Sequence, residues 1–354
     1  MKTYNLIYLI LIFFSCENNK VISHNFNEFP ITSKANNKEI INTLETNLNA
    51  RQLAIKDDYI YMFDYENRPY IRKYNRKFDI IDSLGLHNDF NIENPIFQHF
   101  DIDGNFVFIN EGTFLSLYKK RLTDNNKNSL KLIDEIEINE LFKADGIYQA
   151  FHFDDSFVVD AYYPKNGDVL FKHKKNEETK WLDFLFPIKE NIDFQDENEF
   201  LHVLYRNKLK VKPDNTKLVQ VFSNFPSLQI INTEGERGVY KTYTNTNIKI
   251  SSINEIHTNF LNNSVPTYVQ YLNAFTSETK IYALFLNQSW EDILNYNYNS
   301  FEIHVFDWSL NPLQKIIIND QIDIMGSFVI LEESDEIIFL NPNKEGHYYT
   351  KWKF

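Results

Sequence analysis

Cysteine is nearly absent: Cys16 is the only one in 354 residues. A single thiol can form no disulfide within the chain and no thiolate metal cluster, so stability must come from packing. Glycine is scarce as well, at 9 residues, and no phosphate-cradling glycine loop, zincin helix motif, nucleophile elbow or EF-hand loop occurs. Those absences remove the usual signatures of several enzyme classes and of calcium sensors. Positive charge is also in deficit. The chain has 36 basic and 49 acidic residues and a formal net charge of −13, a field that repels DNA and RNA. The nearest basic run, residues 172–175, reads as a solvated strand end or turn. No nucleic acid, metal or cofactor is expected.

Long hydrophobic runs are lacking too, with one exception. Residues 6–14 are uninterruptedly apolar, with Lys2 before them and Ser15, Cys16 and the polar Glu17-Asn18-Asn19-Lys20 behind. As a helix such a run spans about 14 Å, roughly half of a hydrocarbon core about 30 Å thick. It is too short to cross a bilayer, and the order positive, apolar, small is that of a secretory signal. The one cysteine stands directly behind it. Phe13-Phe14-Ser15-Cys16 resembles a bacterial lipobox, which implies that the Cys16 thiol is acylated and that Cys16 becomes the new N-terminus. The expected organisation is a signal peptide over 1–15, a lipidated N-terminus and linker over 16–37, and a folded domain over 38–354. The expected location is the cell envelope, anchored by lipid, with the outer membrane favoured. Loss of Lys2 with the leader makes the mature chain one unit more negative.

What is present is core-forming material, 43% hydrophobic and 16% aromatic, and a repeat. A short acidic or polar turn precedes a β-branched or aromatic strand six times, with turns beginning at Asp57, Asp103, Asp154, Asp214, Ser277 and Ser334. Turn chemistry and strand propensity agree in each copy. The spacing, 46 to 63 residues, suits four short strands per unit plus variable loops. Each unit offers a second hairpin, for example around Asn75-Arg76 or Glu234-Gly235. The expected fold is therefore all-β, a six-bladed propeller of four-stranded antiparallel blades. The last repeat runs out after its third strand, so residues 38–46 are expected to close the ring, which leaves no long free edge. An array of immunoglobulin-like sandwiches is the alternative, but it predicts no four-strand beat.

The stretch Ile303-His304-Val305-Phe306-Asp307-Trp308-Ser309-Leu310-Asn311-Pro312, with Lys280-Ile281-Tyr282-Ala283-Leu284 ahead of it, resembles the TolB-like six-bladed propeller lipoproteins. The resemblance implies a secreted, lipid-anchored propeller. It implies no particular activity.

Three spots could carry chemistry: His99 to Asp103, His152 to Asp155, and Trp290-Glu291-Asp292. Aligned on their turns, the first two do not repeat one ligand set, and turn geometry already accounts for Asp103 and Asp154. His152 and Asp101 can be read as lining a central channel or as a satisfied buried polar pair.

Loop lengths say more. In a propeller, the connections between blades and those between second and third strands emerge on one face. The long connections here, 186–210, 244–265 and 287–299, all belong to that set. This long-connection face is expected to carry Tyr162, Tyr163, His202, Tyr205, Arg206, His257, Trp290, Glu291 and Asp292, aromatics and polar groups suited to a sugar or a peptide. The competing reading makes 197–206 and 291–294 short capping helices whose aromatics plug the channel. Two functions follow. One is a non-catalytic binding or scaffold module for a glycan, a peptide or a partner envelope protein. The other is an extracellular polymer hydrolase or lyase with paired carboxylates, Glu291 with Asp292 or Asp101 with Asp160, as acid and base.

Overall fold

The computed structural model describes residues 23–42, 50–64, 71–84, 95–100, 106–110, 114–119, 131–137, 146–153, 156–163, 167–174, 180–181, 200, 203–204, 207–232, 237–262, 268–321, 327–341 and 348–354. Three short strands come first: β1 (Ser23–Phe26), β2 (Thr32–Lys34) and β3 (Asn36–Asn42). The first sheet then follows as β4 (Ala50–Lys56), β5 (Tyr59–Asp64), β6 (Ile71–Tyr74) and β7 (Ile80–Leu84). The second is β8 (Pro95–Phe100), β9 (Phe106–Asn110), β10 (Phe114–Lys119) and β11 (Lys131–Glu137). The third is β12 (Gly146–Phe153), β13 (Ser156–Tyr163), β14 (Gly167–Lys174) and β15 (Lys180–Trp181). The fourth comprises β16 (Asn207–Val211), β17 (Lys217–Phe222), β18 (Ser227–Asn232) and β19 (Arg237–Tyr243), with β1 added beside β19. The fifth comprises β20 (Tyr268–Thr276), β21 (Lys280–Ser289), β22 (Phe301–Asp307) and β23 (Pro312–Ile318), with β2 added beside β23. The sixth is β24 (Phe328–Leu331), β25 (Glu336–Asn341) and β26 (Tyr348–Lys353), completed by β3.

The described turns of the sequence repeat, at Asp57, Asp214, Ser277 and Ser334, each join the first two strands of one sheet. In the first sheet Lys56 pairs with Tyr59 and both intervening residues, Asp57 (φ 49°) and Asp58 (φ 64°), are left-handed. That is the two-residue hairpin geometry most compatible with strand twist. The glycine-poor chain fills most such positions with Asn and Asp, whose short polar side chains tolerate the left-handed region: Asn37, Asn215, Asn287 and Asp335 also have positive φ, and Phe78, Tyr296 and Leu310 are the exceptions.

Neighbouring sheets meet through their first strands. The Ala150 N–H donates to Gln98 Oε1 (3.2 Å) between the second and third sheets, and the Leu209 N–H to Gln149 Oε1 (2.8 Å) between the third and fourth. Thr276 Oγ1 donates to the Val211 carbonyl (2.7 Å) between the fourth and fifth, and the Leu53 N–H to Ser327 Oγ (2.8 Å) between the sixth and first. Phe275 faces Phe328 at 6.5 Å from fifth to sixth, and Phe63 stacks on Phe97 at 3.5 Å from first to second. The apolar core is accordingly distributed as slabs between adjacent sheets: Val305, Phe301 and Phe339 between fifth and sixth, Val221, Tyr271 and Phe306 between fourth and fifth, Met62, Tyr74 and Tyr349 between sixth and first. Sheets of antiparallel strands set around an axis in chain order, inner strands in contact, make an all-β propeller.

Two expectations need correction. Only four of the sheets are four-stranded; the fourth and fifth have five strands. The extra strands come from the stretch 16–37, expected to be a linker: β1 pairs parallel with β19 and β2 parallel with β23. The physical reason is edge protection, because β1 and β2 cover hydrogen-bonding edges that would otherwise be open. Phe26 and Phe29 fasten this segment, Phe26 stacking on Tyr243 at 5.0 Å and Phe29 lying 4.5 Å from His304. The closing strand, expected over 38–46, is β3, antiparallel to β26 with Asn42 opposite Tyr348 and Glu39 opposite Lys351.

His304 on β22 is fully buried. Its Nε2–H donates to Glu302 (2.8 Å), which leaves Nδ1 to accept the Tyr271 hydroxyl (3.0 Å), and Lys315 holds the other Glu302 oxygen at 3.4 Å. Burial holds the imidazole below its usual pKa despite Glu302. Burial raises Glu302, but the hydrogen bond and charge of His304 and the charge of Lys315 outweigh it, so its carboxyl sits below the usual range. Both folded-state values are depressed, so their stability contribution is present at neutral pH and is lost as pH falls, first below about 6.5 and then below about 4.5. The urea midpoint is expected to fall between pH 7 and pH 5, and His304→Gln is expected to flatten that part of the profile. A wild-type midpoint constant over that interval would contradict this reading.

Candidate functional site

Where they are described, the long connections carry helices and buried anchors. Between β19 and β20 lies α1 (Ile253–Leu261), started by a reciprocal cap in which Ser252 Oγ accepts from the Glu255 N–H and Glu255 accepts from the Ser252 N–H (2.7 Å). Ile256 of α1 is buried with Phe200 and Leu204, from the connection between the third and fourth sheets, and with Phe222, Phe225 and Tyr240 of the fourth sheet. Asn224 Nδ2 ties the same segment down through the carbonyls of Val203 (2.8 Å) and Leu204 (3.0 Å). Between β21 and β22 lies α2 (Trp290–Leu294), whose Ile293 is buried. Asn287 links the two helical connections, accepting from the Lys249 N–H (2.9 Å) and donating to the Asn247 carbonyl (3.1 Å).

All three connections emerge where strands two and three, or successive sheets, are joined, so they share one face. Its apolar side chains are not all used. Ile250, Leu261 and Leu294 are 51%, 55% and 48% exposed, although the segments carrying them are anchored in core. Among the described residues no helix is long and apolar enough to cross a membrane.

The residues picked from sequence fare unequally. Trp290 is half-buried and packs against the core of the fifth and sixth sheets. Asp292 is the cap partner of Ser289, whose hydroxyl donates to it (2.5 Å), and Glu291 beside it is exposed. His257 of α1 is half-buried with its ring 4.8 Å from Phe200. Tyr162 and Tyr163 end β13 opposite Asp168 and Gly167, at the long-connection end of the third sheet; their side chains, and the whole of His202, Tyr205 and Arg206, lie outside the described residues. So do Asp101 and the turns at Asp103 and Asp154. His152 is buried against Phe157 at 4.9 Å, and Asp160 is buried and accepts from Gln149 Nε2 (3.2 Å).

The opposite face, formed by the hairpin turns, is laced by charge. Arg76 reaches Asp58 (2.5 Å) and Glu333 (3.1 Å), joining the first and sixth sheets. Glu332 accepts from Ser277 (2.9 Å) and Tyr282 (2.7 Å), joining the fifth and sixth. Lys212 pairs with Asp214 and stands 3.9 Å from Glu278 of the next sheet.

Sequence reasoning allowed for a central channel but missed the residues that line the axial cavity, and His152 is not among them. The cavity has a volume of about 400 Å³ and is walled by residues of all six first strands, among them Leu53, Phe97, Phe151, Val211, Phe275 and Phe328. It reaches the hairpin-turn face at Asp57, Pro213 and Glu278. Lys210 of β16 lines it, and burial, with Lys208 adding repulsion, pushes its ammonium down to about 8. A signal was available. Asn207–Val211 alternates Leu209 and Val211, both buried, with Lys208 and Lys210, and a lysine on an innermost strand faces either a neighbouring sheet or the axis.

No known family's sequence profile matches the chain, and no curated protein does either. Solved structures do. A member of the DUF4221 family from Bacteroides vulgatus superposes with a TM-score of 0.62 at 11% identity, over 90% of this chain and 96% of that one. A protein of Bacteroides fragilis named as exported superposes with a TM-score of 0.52 at 8% identity, over 91% and 98%. At such identities the likeness shows the fold alone, and a propeller hosts many functions.

Proposed function

We propose that this chain is a lipid-anchored β-propeller of the bacterial cell envelope, six-bladed with each sheet as one blade, acting as a non-catalytic binding or scaffold module. Cys16 is the attachment point, and the occupant of the long-connection face is a glycan, a peptide or a partner envelope protein. The observation that carries this reading is that face itself: two connections, fastened into core from beneath, leave Ile250, Leu261 and Leu294 about half-exposed. Apolar side chains held out on a rigid scaffold mark a contact surface.

The path of the N-terminus supports the orientation. β1 runs parallel to β19, and β19 ends at the long-connection face, so the chain approaches from the hairpin-turn side. Six residues, 17–22, separate the anchor from β1; fully extended, the seven steps from Cys16 to Ser23 reach roughly 25 Å. A tether that short holds the hairpin-turn face toward the bilayer and the long-connection face away from it. The TolB-like segment 303–312 belongs to the same reading, and its residues have structural work: Asp307 accepts from the N–H groups of Ser309 and Asn311 (both 2.8 Å), and Trp308 Nε1 donates to the Ser277 carbonyl (3.0 Å).

The hydrolase or lyase alternative is less well supported. Asp292 is engaged by its cap and Asp160 by Gln149, whereas carboxylates acting as acid and base face each other across an open cleft. Leu261→Asp combined with Leu294→Asp is expected to lower recovery of the native partner about tenfold or more, with an unchanged thermal transition. Undiminished recovery would move the binding surface elsewhere.

A further inference from the structure

We propose that the axial cavity is a separate binding site for a small aromatic carboxylate, with Lys210 as its counter-ion. The cavity is about 400 Å³, within the range of roughly 300–1,000 Å³ typical of small-molecule sites and more than ten times the ~30 Å³ share of one water. Its walls supply four phenylalanine rings, Phe97, Phe151, Phe275 and Phe328, which favour a flat apolar body. Within these walls Lys210 has no hydrogen-bonding or ion-pairing partner among the described residues. Lys210 is half-buried; a partly desolvated cation without a partner is costly, and an anion brought in by a ligand lowers that cost.

The other charges do not substitute for a ligand. Lys56, Asp57 and Glu278 belong to the part of the lining that reaches the hairpin turns; Asp57 is exposed, and Lys212, paired with Asp214, stands 3.9 Å from Glu278. Lys208, on the same strand, is exposed and repels Lys210. One ammonium balances one negative charge, so a monocarboxylate fits better than a phosphate dianion, whose second charge would meet only the neutral polar groups of Gln52, Gln98 and Thr276. The site opens on the opposite side of the propeller from the long-connection face and does not depend on it.

The test is titration of the purified mature protein with 1-naphthylacetate and with its neutral analogue 1-naphthylacetamide, followed by naphthalene fluorescence and calorimetry. Saturable binding of the acid at pH 7 is expected, with the amide weaker by about 10- to 100-fold, the range of one hydrogen bond to a charged group. Because burial lowers the Lys210 ammonium to about 8, affinity for the acid is expected to fall at least about tenfold between pH 7 and pH 9.5, while the amide is unaffected. An ordinary lysine would hold its charge to higher pH. Lys210→Met, close in shape, should lose the same factor for the acid alone. It should also melt at or above the wild-type temperature at pH 7, since it removes a half-buried charge that has no partner among the described residues. The Leu261→Asp, Leu294→Asp protein should bind the acid normally, which separates failure of this site from failure of the long-connection face. No saturable binding of the acid, equal binding of acid and amide, or full binding by Lys210→Met would each overturn the proposal.

Discussion

A protein beginning at residue 44 is expected to show no cooperative unfolding transition, whereas one beginning at residue 36 is expected to fold with reduced stability. The difference between them is β3. It supplies the fourth strand of the sixth sheet, pairing Ile41 with Tyr349, Ile40 with Thr350 and Glu39 with Lys351. Lys351 adds an ion pair to Glu39 (2.8 Å). Ile41 packs against the slab between the sixth and first sheets, where Tyr349 and Ile338 are fully buried. Without β3 the edge of β26 opens. A ladder of this length, at about 1 kcal/mol net per hydrogen bond, plus the apolar area, is a large share of the 5–15 kcal/mol typical of a folded domain. The protein beginning at residue 36 keeps β3 and loses β1 and β2, with Phe26 and Phe29, half-buried against Tyr243, Phe306 and His304. A loss of about 2–4 kcal/mol is expected for that change. Circular dichroism with urea denaturation checks both, and a cooperative transition in the shorter protein would show that the ring does not need β3.

The second large effect is in the core. Phe339→Ala is expected to destabilise by about 3–5 kcal/mol, the usual range for deleting a fully buried aromatic ring. Phe339 has no solvent exposure and lies 5.3 Å from Phe301, 5.2 Å from Phe328 and 5.5 Å from Trp352. The ring therefore joins β25 to the fifth sheet, to β24 and to β26 at once, and neighbours held by three strands cannot collapse into the void. Arg76→Ala, which removes an inter-sheet ion pair at the surface, should cost no more than about 1 kcal/mol, because the carboxylates it meets are open to water. A urea midpoint for Phe339→Ala no lower than that of Arg76→Ala would contradict the assignment of the core to the inter-sheet slabs.

How far the sequence could be read follows from where its signals are local. The Asp57-Asp58 hairpin and the strands on either side of Asn75-Arg76 were legible because turn chemistry and alternation lie within a few residues of one another. Strand closure was legible by elimination, since the last repeat is one strand short. β1 and β2 were not: Ser23–Phe26 and Thr32–Lys34 are short, polar and unpatterned, and only long-range parallel pairing makes them strands. The helix α1 was missed although Ser252 and Glu255 form the spacing of a reciprocal cap, because the residues around it are rich in Asn and read as loop. Trp290 and Asp292 were found as a cluster, yet half of what recommended them, an aromatic beside acids, is explained by core packing and helix capping. Lys210 was passed over because a single lysine in a strand is ordinarily solvated, and only the ring geometry places it on the axis.

The most direct test of the long-connection face as the working surface is site-specific photo-cross-linking in intact cells, with the reactive side chain placed at Leu261, Leu294 or, on the hairpin-turn face, Lys77. Positions 261 and 294 should each trap the same envelope partner or glycan while position 77 traps none. Adducts from position 77 alone, or equal labelling at all three, would contradict the assignment of the binding surface.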